Sequence, residues 1–257
     1  MTIVTLTSDF GLHDYYVPVI KGAALSRRPE LNIIDITHNI KSHDLVQAAY
    51  ILKNAWYSFP AGTIHVVSVN NYGSEKSRFL AIYHQNHYFL CPDNGIFTLI
   101  FDTIPPLVYE LPYTGLNFTP IRDLIANAIG HIANDQPFEE IGIPITDMVQ
   151  RITFQPVIGP AQIKGSIIHI DQYDNAIVNV TRQLFDKVGK GRPFILTIKR
   201  HDPITRLSQH YNDAPIGESL CLFNSDNLEI AINMGKAAEM LGIRIDDMVH
   251  IDFKDQT

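Results

Sequence analysis

Asp9 and Asp14 flank Gly11 in the stretch Thr7-Ser8-Asp9-Phe10-Gly11-Leu12-His13-Asp14, directly after an apolar run through Ile3, Val4 and Leu6. A carboxylate accepts hydrogen bonds and donates none, so such a loop can hold a sugar diol, an amine or a metal ion. In open α/β sheets, ligands gather where strands end and helices begin, which is where this loop falls. The plainer alternative is a turn residue at Asp9 and a helix cap at Asp14. A second cluster, Ile170-Asp171-Gln172-Tyr173-Asp174-Asn175, sets an acid, an aromatic and an amide just after another strand-like run. Those groups could bind an amine, stack on a base and read its edge. Asp-Asn is also good hairpin-turn chemistry.

The elements that must position these groups follow from periodicity. Residues 3–6 suit a buried strand, and 16–26 suit a helix in which Pro18 is tolerated in the first turn. A strand at 32–36 ends in Thr37-His38. Ser42 then opens a helix with Leu45, Ala48, Ala49, Leu52 and Trp56 on one face, stopped by Pro60. A strand at 63–69 runs into the polar loop Asn70-Asn71-Tyr72-Gly73-Ser74. Residues 78–83 and 88–91 form a hairpin pair, and Pro92-Asp93-Asn94-Gly95 is a turn by composition. Thr119, with Pro120 at the first helical position, opens a helix buried through Ile125, Ala128, Ile129 and Ile132.

This alternation predicts an N-terminal α/β domain over residues 1–155, with a mostly parallel sheet flanked by helices. After a linker at 156–160, short strands dominate at 162–170, 176–180, 194–198, 219–223, 228–232 and 248–253. That half reads as a smaller C-terminal antiparallel β-barrel domain or sandwich over 161–257.

Composition narrows the function. With 257 residues, 46% of them hydrophobic and 18% charged, the chain has ample material for such cores. A formal charge of −7 argues against nucleic-acid binding, which draws on surplus Lys and Arg. No apolar stretch is long enough for a membrane helix, and no secretory leader is expected at an N-terminus that enters a strand directly. Cys91 and Cys221 lie in apolar strands and read as reduced core residues of a cytoplasmic protein. Walker A, GxGxxG, HExxH and GxSxG patterns are missing. The eleven histidines are scattered, so no metal site is expected.

TSDFG at 7–11 with Asp14, IDITHNI at 34–40, PDNG at 92–95, IDQYDN at 170–175 and NS…LEIAIN at 224–233 occur in one order. In that order they resemble the S-adenosylmethionine hydroxide adenosyltransferases, along nearly the whole chain. Those enzymes hydrolyse S-adenosylmethionine to adenosine and methionine and are related to the fluorinase and chlorinase. The resemblance implies a homotrimer, with a small-molecule adenosyl ligand between one subunit's first domain and its neighbour's second. S-adenosylmethionine would be substrate or ligand, with no other cofactor. Asp9 would hold the ribose hydroxyls, Asp171 the methionine ammonium and Ser225 the methionine carboxylate. Tyr173 would stack on adenine, and Asn175 would read its edge. His43 stands where the family has an aromatic packing on the ligand. Asp14, Asn70 and Tyr72 complete the expected binding set.

The same resemblance exposes departures. The family uses an Asp–Arg–His trio to handle water. Here the positions read Asn70, which is no base, Lys76, which keeps charge but loses the planar fork, and Pro120, which has no side-chain donor. The loop after Asn70 is shorter, with Asn71-Tyr72 in place of a Pro-Gly-Val pattern. Ile121 stands where a halogenase would carry a hydroxyl. Three readings follow. The first is a slow or altered hydrolase that places water with Lys76, Tyr72 or His43. The second is a non-catalytic binder of S-adenosylmethionine or adenosine, and the third is the same fold with a changed ligand.

Overall fold

The computed structural model describes residues 1–72, 78–101, 103–112, 120–152 and 154–254. Among them the chain divides into two compact units, Met1–Thr153 and Phe154–Thr257. In the first unit the order is β1 (Ile3–Ser8), α1 (Tyr16–Arg27), β2 (Asn32–Thr37), α2 (Leu45–Lys53), β3 (Ile64–Ser68), β4 (Phe79–His84), β5 (His87–Pro92), α3 (Ile96–Ile100), β6 (Val108–Glu110), α4 (Pro120–Ala133) and β7 (Ile143–Pro144). The strands form one mixed sheet in the order β2-β1-β3-β5-β4-β6-β7. Its β2-β1-β3-β5 side is parallel, and the β4, β6 and β7 pairings are antiparallel.

Alternation along the strands supplies two cores. Ala81 joins Val4, Leu6, Val66 and the α1 and α4 residues Ile20, Ala24, Ile125 and Ile129 on one face. Its neighbours Leu80 and Ile82 join the α2 and α3 residues Leu45, Leu52, Ile96 and Phe97 on the other. Strands covered on both faces carry little polar pattern, which is why β3 is buried throughout.

One helix start differs from expectation, and one helix cap. Asp44, not Ser42, caps α2 by accepting the Gln47 N–H, and α2 ends at Lys53. Trp56 instead sits in a single 3₁₀ turn, where its ring meets His87, Phe89 and Phe101 edge-on. Tyr15 precedes α1 with no side-chain cap, so the capping alternative for Asp14 fails.

The second unit runs β8 (Val157–Gly159), β9 (Gln162–Ile170), β10 (Ala176–Thr181), α5 (Arg182–Gly189), β11 (Phe194–Ile198), β12 (Ser219–Phe223), β13 (Asn227–Ile232), α6 (Ala237–Met240) and β14 (Met248–Phe253). It is an antiparallel sheet, β11-β14-β9-β10-β13-β12 with β8 on β9, curled into a half-barrel. Ile163, Val178, Leu196, Ile230 and Val249 fill it. Helix α5 was not expected: Thr181 caps it by accepting the Leu184 N–H, and Phe185 and Val188 turn inward. Both cysteines are buried free thiols, and burial pushes the Cys221 thiol up to about 12. Among the described residues no helix is long and apolar enough to cross a membrane.

A polar chain crosses the middle of the first sheet. Thr5 Oγ1 lies 2.8 Å from His65 Nδ1, and His65 Nε2 lies 3.2 Å from His87 Nδ1, all in buried positions. Burial, helped by His87, presses the His65 imidazole from 6.5 down to about 3. The folded protein thus refuses a proton that the unfolded chain accepts below about 6.5. This contribution is complete above that value and is lost as the pH falls toward 3. By pH 5 the loss should reach about 2 kcal/mol. Urea unfolding at pH 7 and pH 5 measures it, and His65→Gln should remove that share of the pH dependence.

Candidate ligand-binding site

The parallel strands β1, β2 and β3 end on one edge of the sheet, and the loops that follow them meet there. Asp9, the residue after β1, sends its Oδ2 to two backbone amides: His43 N–H at 3.0 Å and Asn70 N–H at 3.2 Å. Both donors are left-handed, with φ of 68° and 49°. Asn and His are among the few side chains that tolerate that region, so residue type and backbone need agree. The Asp9 side chain is only 9% exposed, whereas the His43 ring is 74% exposed with Nδ1 4.0 Å from the carboxylate. No described residue bonds Asp9 Oδ1, so that oxygen has acceptor capacity to spare.

The Asn70 loop is held from behind by the PDNG turn. Asn94, fully buried, donates through Nδ2 to the carbonyls of Val69 at 2.9 Å and Asn70 at 3.0 Å, while its Oδ1 accepts the Ile96 N–H. Asp93 accepts from Arg78 Nε at 2.8 Å and from the Val149 N–H at 2.8 Å. Arg78 also reaches Glu110 and Asp147. Partial burial disfavours the guanidinium charge, but hydrogen bonds to Asp147 and Asp93 outweigh it and raise its pKa. Gly95 completes the turn at φ 88°. PDNG is therefore a bracket under the site: its side chains serve the neighbouring backbone.

In the second unit, IDQYDN closes the β9–β10 hairpin, and the turn alternative is realised. Asp171 Oδ1 accepts the N–H groups of Tyr173 and Asn175, and its Oδ2 accepts Asn175 Nδ2 at 3.1 Å. Asp174, at φ 70°, accepts the Glu239 N–H through its side chain. Tyr173 stands 78% exposed while Asn175 is buried. The loop thus offers an exposed aromatic ring beside an acid and an amide already locked together. Ser225, exposed between β12 and β13, accepts a long 3.4 Å bond from the Asn227 N–H.

So Asp9, His43 and Asn70 meet in the first unit, and Asp171, Tyr173 and Asn175 in the second. Asp14 and Tyr72 are exposed near their loops. Lys76, Thr119 and the side chain of Pro120 lie outside the described residues, as do Gly73 and Ser74. Ile121 packs against the first core. Two contributors escaped sequence reasoning: Asn94, hidden inside a turn motif, and Glu229. The latter is buried in β13 and accepts the Tyr211 O–H at 2.8 Å; burial, then the nearby Asp171 charge, pushes its carboxyl up. An acid in an otherwise apolar strand, as in Leu228-Glu229-Ile230-Ala231, was the available signal.

An α/β unit with an anchored acid at its parallel strand ends, followed by a curled antiparallel unit, defines a two-part architecture already seen in crystals. The chain superposes on an uncharacterized conserved protein from Thermotoga maritima with a TM-score of 0.85 and 26% identity, covering 97% of this chain and 99% of that one. A conserved hypothetical protein from Thermus thermophilus gives 0.77 and 27%, covering 98% and 100%. Residues 4–142 match the SAM hydroxide adenosyltransferase N-terminal domain and residues 165–250 its C-terminal domain, so the chain belongs to that family. The (R)-S-adenosyl-L-methionine hydrolase of Thermus thermophilus is 30% identical over 95% of this chain and 97% of its own. The hydrolase of Methanocaldococcus jannaschii is 27% identical over 98% and 96%. A fluorinase from Nocardia brasiliensis is 23% identical over 74% of each chain.

If Asn94 is the bracket of the Asn70 loop, Asn94→Ala leaves two carbonyls and an amide unpaired in the interior. Urea unfolding should then show a loss of about 3 kcal/mol. A loss within error of zero would mean that the loop is held by something else.

Proposed function

We propose that the chain binds S-adenosylmethionine and hydrolyses it slowly to adenosine and methionine. The observation that carries this is the Asp9 carboxylate, fixed by the His43 and Asn70 amides at the strand edge with one oxygen left to accept. In this reading Asp9 takes the ribose hydroxyls. The IDQYDN loop supplies the rest: Tyr173 stacks on adenine, Asn175 reads its edge, and Asp171 faces the methionine ammonium. Ser225 meets the carboxylate. Following the family resemblance, the reading sets one copy's first-unit cluster against a neighbour's second-unit cluster, with the ligand between copies of the chain in a closed trimer. Light scattering that shows a monomer at micromolar concentration would remove that arrangement.

The chemistry asks little of acids. Water attacks the ribose 5′ carbon, the C–S bond breaks, and its electron pair stays on sulfur to give a neutral thioether. The attacking water must be held in line and must lose a proton. Asn70 can orient a water through its amide but cannot take that proton, so bulk solvent receives it. This favours slow turnover, and at the limit the non-catalytic binder. General-base assistance is typically worth ~10²–10⁴ in rate, so adenosine release should trail an intact hydrolase by about that factor.

Adenosine release, followed chromatographically, tests turnover: Asn70→Asp with Pro120→His should raise it, provided circular dichroism shows the fold kept. Wild-type turnover as fast as an intact hydrolase would defeat the claim that Asn70 is a deficit. Calorimetry tests binding. Asp171→Asn removes the charge while its amide oxygen can still accept the Tyr173 and Asn175 N–H groups, so it should weaken S-adenosylmethionine at least about tenfold more than adenosine. Equal losses for both ligands would contradict the ammonium assignment.

A further inference from the structure

Beneath Asp9 lies a chain of side chains that the binding set does not use. Ser8 Oγ is 2.7 Å from His38 Nδ1, His38 Nε2 is 3.0 Å from Asp35 Oδ1, and Asp35 Oδ2 is 2.6 Å from Lys21 Nζ. Serine, histidine and aspartate in a row suggest a nucleophile with its base. Access rules that out: Ser8 is 2% and His38 4% exposed. The cavity they line with Phe10, Val17, Ile20 and Ser68 is about 10 Å³, room for a water at most.

What the chain can do is set backbone. Asp35 only accepts while ionised, so Nε2 carries the imidazole proton and Nδ1 accepts from the Ser8 hydroxyl. The Nε2–Asp35 approach is short but poorly aligned, a weaker polar contact than a full hydrogen bond. Burial pushes the Asp35 carboxyl up, yet Lys21 and His38 outweigh it and hold it below its usual range. Ser8 Oγ in turn accepts the Phe10 N–H at 3.4 Å, and the His38 carbonyl accepts the Gly11 N–H at 2.8 Å. Residues 8, 10 and 11 are thereby tied to one imidazole-bearing residue, and Asp9 is the residue they enclose. A register shift between β1 and β2 at Leu6/Thr7 brings His38 level with Ser8.

We propose that His38 is a positioning residue which, through Ser8 and Gly11, sets the Asp9 carboxylate for ribose recognition. This rests on the adenosyl-ligand reading above. The test compares adenosine with 2′-deoxyadenosine by calorimetry in wild type, His38→Leu, Ser8→Ala, Asp9→Asn and the double variant of His38 and Asp9. A displaced Asp9 loses the ribose hydroxyl, so His38→Leu should shrink the preference for adenosine about tenfold. Once Asp9→Asn is in place, His38→Leu should shrink it no further. A merely structural histidine would weaken both ligands alike, and that result overturns the proposal. Independent, multiplying effects in the double variant overturn it too. Ser8→Ala deletes a single hydroxyl and carries the comparison if His38→Leu does not fold.

Hydrogen exchange without ligand keeps this claim separable from the function beneath it. The His43 and Asn70 amides, which donate to Asp9, should exchange faster in Ser8→Ala while the β3 strand amides stay protected. Unchanged protection at both amides would refute the positioning role even if adenosine binds. If wild type binds neither nucleoside but those amides do loosen, the ligand assignment fails and the positioning of Asp9 stands.

Discussion

Two amides in left-handed residues converge on one carboxylate oxygen, and much of the first unit's site edge is arranged to permit that. A left-handed residue other than glycine carries a steric cost, and it persists only where neighbouring contacts over-determine it. At Asn70 those contacts are Asn94 behind and Asp9 in front. At His43 they are Asp9 and the Asp44 cap that starts α2 one residue later. Asp9 in turn is an acid held almost out of solvent. It can remain there because two backbone amides donate hydrogen bonds to its buried oxygen.

The second unit solves a similar problem with different means. Asp171 is satisfied by its own loop, so its position depends on a hairpin of a few residues rather than on strands far apart in sequence. A local solution of this kind is largely independent of the rest of the fold, whereas the Asp9 arrangement needs β1, β2 and β3 all in register. Both place an acid directly after a strand, yet only the first is sensitive to sheet geometry.

Much of this was legible in the sequence. The strand limits at 162–170, 194–198, 219–223 and 248–253 coincide with those observed, because β-branched runs bounded by turn residues leave few choices. Helix starts were harder: Ser42 and Asp44 are both good capping residues, and only the tertiary path selects Asp44. Helix α5 hid among strands because its inward face is only one turn wide. In the site, acids and amides could be named as candidates for ligand contact, but the use of their backbones could not. That Asn70 contributes an N–H and Asn94 a bracket depends on contacts between residues distant in sequence, which side-chain chemistry does not announce.

The donor at position 70 is the peptide nitrogen, so the loop is blind to the side chain mounted there. Its alphabet is limited instead by the left-handed backbone, which accepts glycine, asparagine, aspartate and histidine more readily than other residues. Asparagine and aspartate sit together in that short list. A chain with this architecture can therefore exchange a proton-accepting side chain for an inert amide without rebuilding the scaffold, and can exchange it back. Architecture and reactivity are in this sense inherited on separate atoms of one residue, so a loss of chemistry at this point would leave no scar in the fold.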